Sequence, residues 1–556
     1  MRVARADVAI IGAGTAGLAA YRAARAAGAT ATLIEGGTDG TTCARVGCMP
    51  SKLLIAAADA AHAVETAPGF GVHHDGVVRI DGRAVMDRVR RERDRFVNLV
   101  LRDVERIPDM DRLRGHARFA DDHTLDVGGH TRVISRTVVI ATGSRPSRAE
   151  SFNALGDRGI VSDAVFDWQD LPKSVAVIGL GIVGLELGQA LHRLGVRVAI
   201  LGLGGRVGPI SDPEILACSI AAFKRELTLE PDARISDMRR DGDRVAISRT
   251  MPNGAMQVET FDYVLVSTGR TPNVQGIGLE KTSVQLDAKG APRNDPATAQ
   301  TLNADGNACT GSPIFIAGDA SNSIPLLHEA ADEGRIAGEN AARVAFGKPA
   351  KAGLRRVPIA VVFTDPQICI VGGGFASLPP GSFATGRVNF EDQGRARILL
   401  RNRGRLNVYA ETVTGRFLGA ELHAPEGEHL AHLLAWALQN RMLVEQMLEM
   451  PYYHPVLEEG LRTALQDVNA KLRTARRSGG EPALRVEETQ SALIAQNPDS
   501  DDTPIALRVT SQRAVLSGLT ESAAKRREPR GVPLPLRDIP CVSSGMRVRM
   551  GCRFVK

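Results

Sequence analysis

The sequence predicts an α/β protein in which two parallel-sheet folds of similar construction precede a C-terminal α+β region. A glycine-rich turn between an apolar strand and a helix occurs twice, at 12–17 and at 179–184. From about residue 350 the pattern changes to strands of an antiparallel sheet, followed by helices near 428–440 and 443–449. The repeat and the change of pattern together predict three folded domains.

The first glycine-rich turn lies in DVAIIGAGTAGLAA, where an apolar strand precedes Gly12, Gly14 and Gly17. An Ala-rich helix follows, and the next strand ends at Glu35. In this setting Gly-x-Gly-x-x-Gly predicts a Rossmann-like dinucleotide-binding fold, because the glycines let a pyrophosphate approach the backbone at the helix N-terminus. Glu35 is then placed to bind the ribose hydroxyls.

The second glycine-rich turn contains Gly179, Gly181 and Gly184 in SVAVIGLGIVGLELG. Two dinucleotide-binding folds in one chain suggest two different dinucleotides. A flavin enzyme that exchanges hydride with a nicotinamide needs such a pair of sites.

The second fold lacks the acid that ends the corresponding strand of the first. Glu35 lies 18 residues after Gly17, and the equivalent position in the second fold is Gly202. An acid there would bind the ribose of NAD and repel the phosphate of NADP. The nearest basic residues are Arg197 and Arg206. If the second dinucleotide is NAD, we therefore predict weak discrimination against NADP.

Three more apolar strands end in small or acidic residues, in VVIATGSRP (138–146), YVLVSTGRTPN (263–273) and IFIAGDA (314–320). The Thr-Gly pairs fit a chain that passes between domains beside a bound nucleotide. The last strand ends at Asp319, which could bind a polyol or ribose or could cap the helix expected at 328–343.

Two cysteines lie five residues apart in TTCARVGCMPSK, Cys43 and Cys48. The spacing alone leaves open a structural disulfide, half of a metal site, or a redox-active pair. Seven cysteines in 556 residues do not form a disulfide-rich secreted scaffold, so we expect a reducing cytoplasm.

Near the end of the last domain, His454 precedes Pro455, and Glu459 lies five residues on. A histidine beside a proline is often structural. A carboxylate within reach on the same segment is, however, the arrangement that orients an imidazole as an acid or base.

The net charge of +6 is confined to the end of the chain. Residues 473–556 carry 15 Lys and Arg against 9 Asp and Glu, whereas residues 1–472 carry 54 of each. The body therefore predicts no nucleic-acid interface. No apolar run reaches the length of about 18 residues that a membrane span needs. The tail mixes charge with Pro, Gly and Ser, and we expect it to be irregular or disordered.

With these motifs in this order, residues 1–472 resemble the class I pyridine nucleotide–disulfide oxidoreductases, and among them most closely the dihydrolipoamide dehydrogenases. The resemblance implies a discontinuous FAD-binding domain, an NAD(P)-binding domain and a dimerisation domain. The expected bounds are 1–150 with 275–347, then 151–274, then 348–472, with the tail at 473–556.

The resemblance also assigns the reacting groups. It makes Cys43 and Cys48 a redox-active disulfide, with Cys48 facing the flavin and Cys43 exchanging with the substrate. His454 would be the base, oriented by Glu459, and this pair comes from the partner subunit of a homodimer. The remaining catalytic pair would be Lys52 and Glu186, beside the reactive edge of the flavin.

The resemblance also assigns the residues that bind the cofactors, and no metal is expected. FAD would be bound by Gly12, Gly14, Gly17, Glu35, Lys52, Gly115, Thr142, Gly143 and Asp319. NAD would be bound by Gly179, Gly181, Gly184 and Gly269.

The expected reaction is the oxidation of dihydrolipoamide, free or on a lipoyl-bearing protein, by NAD through FAD. The mostly apolar stretch after Cys48, MPSKLLIAAADAAHAV, suits the neutral lipoyl arm better than the carboxylates of glutathione disulfide. Mercuric reductases typically carry adjacent cysteines at the C-terminus, whereas Cys541 and Cys552 are separated. The alternatives are an NADPH-dependent reductase of the glutathione or mercuric type, and a non-catalytic flavin-binding regulatory protein.

Three positions depart from the usual motifs of the family. Val456 replaces a threonine after His-Pro, Gln367 replaces a common glutamate, and Thr41 replaces a glycine before Cys43. None of these changes removes a reacting group.

Overall fold

The computed structural model describes residues 1–251, 253–304 and 311–478. In chain order its strands are β1 (Arg2–Ile11), β2 (Ala31–Glu35), β3 (Arg112–Arg114), β4 (Ala117–Asp121), β5 (Thr124–Val127), β6 (Thr131–Ile140), β7 (Ser144–Pro146), β8 (Gly159–Val161), β9 (Ser174–Ile178), β10 (Arg197–Leu201), β11 (Thr228–Glu230), β12 (Arg234–Asp241), β13 (Arg244–Thr250), β14 (Met256–Phe261), β15 (Tyr263–Val266), β16 (Arg270–Pro272), β17 (Ile314–Ile316), β18 (Ile359–Val362), β19 (Gln367–Val371), β20 (Phe383–Asn389), β21 (Arg405–Glu411) and β22 (Phe417–Ala424).

The α-helices are α1 (Thr15–Ala26), α2 (Thr42–Val46), α3 (Cys48–Thr66), α4 (Gly82–Glu105), α5 (Ser162–Val165), α6 (Ile182–Arg193), α7 (Pro213–Glu226), α8 (Leu327–Ala345), α9 (Gly394–Ile398), α10 (Gly427–Gln439), α11 (Val444–Leu448) and α12 (Glu458–Ser478). Within the described ranges, no helix combines the length and the hydropathy that crossing a bilayer requires.

The first sheet has β1 near its centre and runs in the order β3-β2-β1-β6-β5-β4, with β17 also paired to β6. Strands β3, β2, β1, β6 and β17 are parallel to one another. Strand β5 pairs antiparallel with both β6 and β4. Residues 8–11 at the end of β1 are buried, as their continuous apolar run predicts for a parallel strand covered on both faces. The glycine-rich turn and Glu35 follow the carboxyl ends of neighbouring strands, where α/β sheets bind ligands.

The second sheet is wholly parallel, in the order β11-β10-β9-β15-β8. A three-stranded antiparallel sheet, β12-β13-β14, precedes β15 in the chain. The short strands β7 and β16 pair antiparallel, with Arg145 opposite Thr271, where the chain leaves the first fold and returns to it. Two parallel nucleotide folds are therefore present, as the repeated glycine motif predicts.

The C-terminal region is a five-stranded antiparallel sheet, β18-β19-β22-β21-β20, packed against α10, α11 and α12. This confirms the predicted α/β class with an α+β C-terminal domain. The domain bounds themselves remain predictions.

Two details differ from the sequence prediction. The apolar stretch RILL (397–400) has the pattern of a strand in the predicted antiparallel sheet, but it completes and follows α9, because the Gln393 side chain accepts a hydrogen bond from the Ala396 N–H and starts a helix there. The strand begins only at Arg405. The last helix also continues to Ser478, past the expected boundary at 472. The rest of the predicted tail lies outside the described residues.

Candidate active site

The two cysteines of the TTCARVGCMPSK motif are brought together by a tight joint between two helices. Cys43 lies in α2, which Thr41 caps by accepting a hydrogen bond from the Ala44 N–H at 3.2 Å. Cys48 is the first residue of α3, and the joint between the helices is Gly47. A Cβ at Gly47 would lie 3.1 Å from the carbonyl oxygen of Thr42, so a larger residue would require the α2 backbone to shift by a few tenths of an ångström.

The two thiols lie within hydrogen-bonding distance, and they differ in acidity. The hydrogen bond from Cys43 and, to a smaller extent, the nearby Lys52 ammonium lower the pKa of Cys48 to about 7, against the opposing effect of burial. The same hydrogen bond and burial raise the pKa of Cys43. Cys48 is therefore the thiolate of the reduced pair at neutral pH, as expected for a thiol at a helix N-terminus beside a cation.

The predicted Lys52–Glu186 pair is formed between α3 and α6. Lys52 Nζ lies 2.7 Å from Glu186 Oε2. The Glu186 side chain is only 4% exposed, against 34% for Lys52. Lys52 follows Cys48 by one helical turn, so it lies on the same face of α3 as the thiol.

The predicted His454–Glu459 pair is also formed. His454 Nδ1 lies 2.9 Å from Glu459 Oε1, and Glu459 Oε2 accepts a hydrogen bond from the Val456 N–H at 3.2 Å. The hydrogen bond with His454 lowers the pKa of Glu459, which keeps it a carboxylate. This arrangement fixes the ring and leaves Nε2 to accept or donate a proton.

The histidine makes no polar contact with either cysteine within the described part of one chain. Its side chain is 81% exposed, and no hydrogen bond or ion pair joins it to Cys43 or Cys48 among the described residues. A single chain thus presents the thiol pair and the acid–base pair as two separate half-sites.

The first glycine-rich turn fits a bound pyrophosphate. A Cβ on Gly12 would overlap the carbonyl oxygen of Ala141, and a Cβ on Gly17 would overlap the carbonyl oxygen of Gly12. Packing of the chain therefore excludes side chains at both positions. At Gly14 a Cβ would meet nothing within 4 Å. The open space therefore lies at the N-terminus of α1, where the helix dipole favours an anion.

Several polar groups around this turn fit the rest of a dinucleotide. Glu35 is held in the turn by the backbone N–H groups of Ala13, at 2.8 Å, and Gly37, at 2.6 Å. The Thr142 hydroxyl is buried and has no hydrogen-bond partner among the described residues. A bound ligand would satisfy that hydroxyl, because buried polar groups without partners are rare. Gly115 and Gly143, at φ +142° and +68°, both have backbone conformations that favour glycine.

Asp319 is part of a small polar cluster that the sequence did not predict. It lies in a single 3₁₀ turn, Gly318–Ser321, after β17, and it accepts a hydrogen bond from the Ser144 hydroxyl at 2.5 Å. Arg270 donates to that hydroxyl at 2.7 Å and lies 3.7 Å from Asp319. Ser144 and Arg270 directly follow Gly143 and Gly269. The two sequence motifs that contain these glycines could therefore have pointed to the cluster.

The second glycine-rich turn repeats the geometry of the first. A Cβ on Gly179 would lie 2.5 Å from the Ser267 carbonyl oxygen, and one on Gly184 would overlap Gly179. Gly181 and Gly269 have room, with no atom nearer than 3.9 Å. The turn therefore also fits a dinucleotide phosphate at the N-terminus of α6.

The structure explains why no acid stands at Gly202. A Cβ there would lie 2.5 Å from Leu180 Cδ1 and 2.8 Å from the Pro231 carbonyl oxygen. Arg197 is engaged elsewhere, because it donates to the Thr260 carbonyl oxygen and stacks on Phe261 at 4.4 Å. Arg206 is exposed in the glycine-rich loop after β10 and makes no ion pair within the described part of the chain. It is therefore the basic residue available to a nucleotide.

Residues 6–334 match the pyridine nucleotide-disulphide oxidoreductase family, and residues 358–465 match the dimerisation domain of the same family. This chain is a pyridine nucleotide-disulphide oxidoreductase. FAD and a nicotinamide dinucleotide are the cofactors of this oxidoreductase, and its dimerisation domain supports a homodimer.

Its relatives include proteins named for two different activities. Mercuric reductase from Shigella flexneri is 33% identical over 476 residues, which cover 83% of this chain and 80% of that protein. Dihydrolipoyl dehydrogenase 3 from Pseudomonas aeruginosa is 28% identical over 477 residues, which cover 84% and 98%. The crystal structure of LpdA from Mycobacterium tuberculosis has the same fold, with a TM-score of 0.69, 24% identity and coverage of 84% and 99%.

Proposed function

We propose that this oxidoreductase is a dihydrolipoyl dehydrogenase, which transfers electrons from dihydrolipoamide to NAD through the Cys43–Cys48 pair. The observation that carries the proposal is the contact between the two thiols, with the pKa of Cys48 lowered to about 7 beside Lys52. The apolar residues of α3 that follow Cys48 support a neutral, slender substrate such as the lipoyl arm.

Each thiol has a distinct role in the exchange. Starting from the Cys43–Cys48 disulfide, one substrate thiolate attacks the Cys43 sulfur, and Cys48 leaves as a thiolate because its lower pKa makes it the better leaving group. The second substrate thiolate then attacks the substrate sulfur of the mixed disulfide. That step releases Cys43 and forms lipoamide.

The histidine of the partner subunit acts as the base that accepts the thiol protons. His454, oriented by Glu459, accepts the two thiol protons in turn at Nε2 and passes the first one to solvent. The first glycine-rich turn, Glu35 and Asp319 would hold FAD, which would supply a two-electron acceptor between the thiol pair and NAD.

Replacing Cys48 by Ser tests the proposal. The Cys48→Ser variant should retain FAD and lose dihydrolipoamide-dependent reduction of NAD, because no second sulfur remains to re-form the disulfide. The His454→Ala variant should lose roughly 10²–10⁴-fold in kcat/KM. Cys218→Ser is the matched control, since Cys218 is a half-buried thiol on α7, and it should keep full activity. Near-native turnover in either active-site variant would refute the assignment.

A mercuric reductase activity is the second candidate, favoured by the 33% identity to the Shigella flexneri enzyme and by the exposed Arg206. NADPH oxidation that depends on Hg(II) and exceeds dihydrolipoamide turnover would favour it. Bleaching of the flavin by dithiol without any nicotinamide turnover would instead favour a non-catalytic flavin-binding protein.

A further inference from the structure

Phe363, in the C-terminal domain, contacts both members of the Lys52–Glu186 pair. Its backbone N–H donates to Glu186 Oε1 at 3.0 Å, while Glu186 Oε2 binds Lys52. The ring centroid of Phe363 lies 4.5 Å from Lys52 Nζ, close enough for a cation–π interaction. Phe363 thus binds Glu186 through its backbone N–H and faces the Lys52 ammonium with its ring.

The segment that carries Phe363 is fixed against α6. Phe363 follows the end of β18, and Val362 before it is buried in a cluster that includes Leu185 of α6. Two residues later, the Asp365 N–H donates to Gln189 Oε1, also on α6, at 2.8 Å. The backbone that carries the ring is therefore fixed to α6 by two hydrogen bonds, from the N–H groups of Phe363 and Asp365 to side chains one helical turn apart.

Lys52 has few other restraints. Besides Glu186, its ammonium has a hydrogen bond of 3.4 Å to Ser51, and its side chain is 34% exposed. Without the aromatic face, the ammonium could move toward water while keeping one bond to Glu186. Both residues lie on the same face of α3, so this movement would change the distance between the ammonium and the Cys48 thiol.

We infer that Phe363 is a positioning residue for the active-site thiol: its ring holds the Lys52 ammonium beside Cys48, and its backbone N–H holds Glu186 in place to pair with that ammonium. The inference deepens the proposed function and rests on it only in taking Cys48 as the thiolate of the reduced pair. It makes the C-terminal domain a contributor to the thiol site of its own chain.

The test measures the acidity of Cys48 directly. In the full-length holoenzyme carrying Cys43→Ser, the alkylation rate of the Cys48 peptide by iodoacetamide is followed by mass spectrometry from pH 5 to pH 10. Phe363→Leu, which keeps the backbone N–H and the apolar bulk, should raise the apparent pKa of Cys48 by about half a unit. That shift corresponds to a roughly threefold slower reaction below the pKa. Phe363→Tyr keeps the ring and should match the parent.

A second pair of variants separates positioning from general stability. In a Lys52→Gln background the ammonium is gone, so Phe363→Leu should add no further shift. If the leucine variant does not fold, Phe363→Met is measured in its place. An unchanged pKa in the leucine variant, equal shifts for leucine and tyrosine, or the same shift without Lys52 would each overturn the inference. Alkylation needs neither dihydrolipoamide nor NAD, so this test is independent of the substrate assay.

Discussion

His423 is a buried histidine far from the redox chemistry. It lies in β22, fully buried, and its ring packs 5.2 Å from that of Phe223 on α7 of the second nucleotide fold. Neither ring nitrogen has a hydrogen-bond partner among the described residues. Burial lowers the pKa of His423 to about 4, so the ring is neutral in the folded protein at pH 7.

This burial makes the stability of the domain contact depend on pH. The unfolded chain binds a proton at His423 below about pH 6.5, whereas the folded chain binds it only near pH 4, so stability is present above pH 6.5 and is lost as the pH falls. The loss at pH 4.5 should be about 2–3 kcal/mol. We expect His423→Phe to reduce the fall in thermal midpoint between pH 7.5 and pH 4.5. The exposed His429→Gln should leave the fall unchanged, and an equal effect of both would contradict this reading.

The glycines of the first turn have separable roles at the scale of the β1–α1 element. Gly17→Ala places a methyl group on the Gly12 carbonyl and should destabilise the fold by about 3 kcal/mol or more. Gly14→Ala places it in open space, so we expect a normal thermal midpoint for the apoprotein but at least tenfold weaker FAD binding. Calorimetry of the apoproteins and FAD titration give the two readouts. Equal behaviour of the two variants would show that the space at Gly14 is not the pyrophosphate site.

We expect the loop after β10 to govern the preference between NAD and NADP. We expect NAD to be used with weak discrimination, because the missing charged partner at Gly202 is worth roughly 1.5–3 kcal/mol, or 10–150-fold. The measurement is kcat/KM for NAD and NADP with dihydrolipoamide. Arg206→Gln should lower the value for NADP alone, and Arg197→Gln, at an arginine already bound to Thr260, is the matched control. A preference for NAD in the thousands would require an acid elsewhere in the site.

The motifs predict what is local in sequence, and the structure adds what folding brings together. Both glycine turns, the thiol pair and the His454–Glu459 pair follow from residues a few positions apart. Phe363 carried no signal, because its contact with Lys52 spans more than three hundred residues and the segment around it reads as an ordinary strand. The helix at 394–398 was missed because an apolar run is ambiguous without the Gln393 cap.

At the scale of the whole molecule, the two half-sites of one chain predict complementation between chains. Homodimers of the Cys48→Ser variant and of the His454→Ala variant should both be nearly inactive. A heterodimer of the two, isolated with two affinity tags, has one intact site if each site combines two subunits, and should regain roughly half of wild-type activity. The control is each variant carrying both tags. An inactive heterodimer would mean that thiols and histidine act within one chain.

The pairing of β7 with β16 bears on how the second dinucleotide fold of this chain could be replaced by another. Arg145 and Thr271 lie opposite each other, so the segment between them begins and ends at neighbouring points. Because its ends are adjacent, such a segment can be exchanged without stretching the host chain, although its α6 packs on α3 and carries Glu186, the partner of Lys52. We expect a graft of another dinucleotide fold between these two strands to leave the sheet of β1 and β6 continuous, provided that it keeps an acid opposite Lys52 and an apolar face against α3.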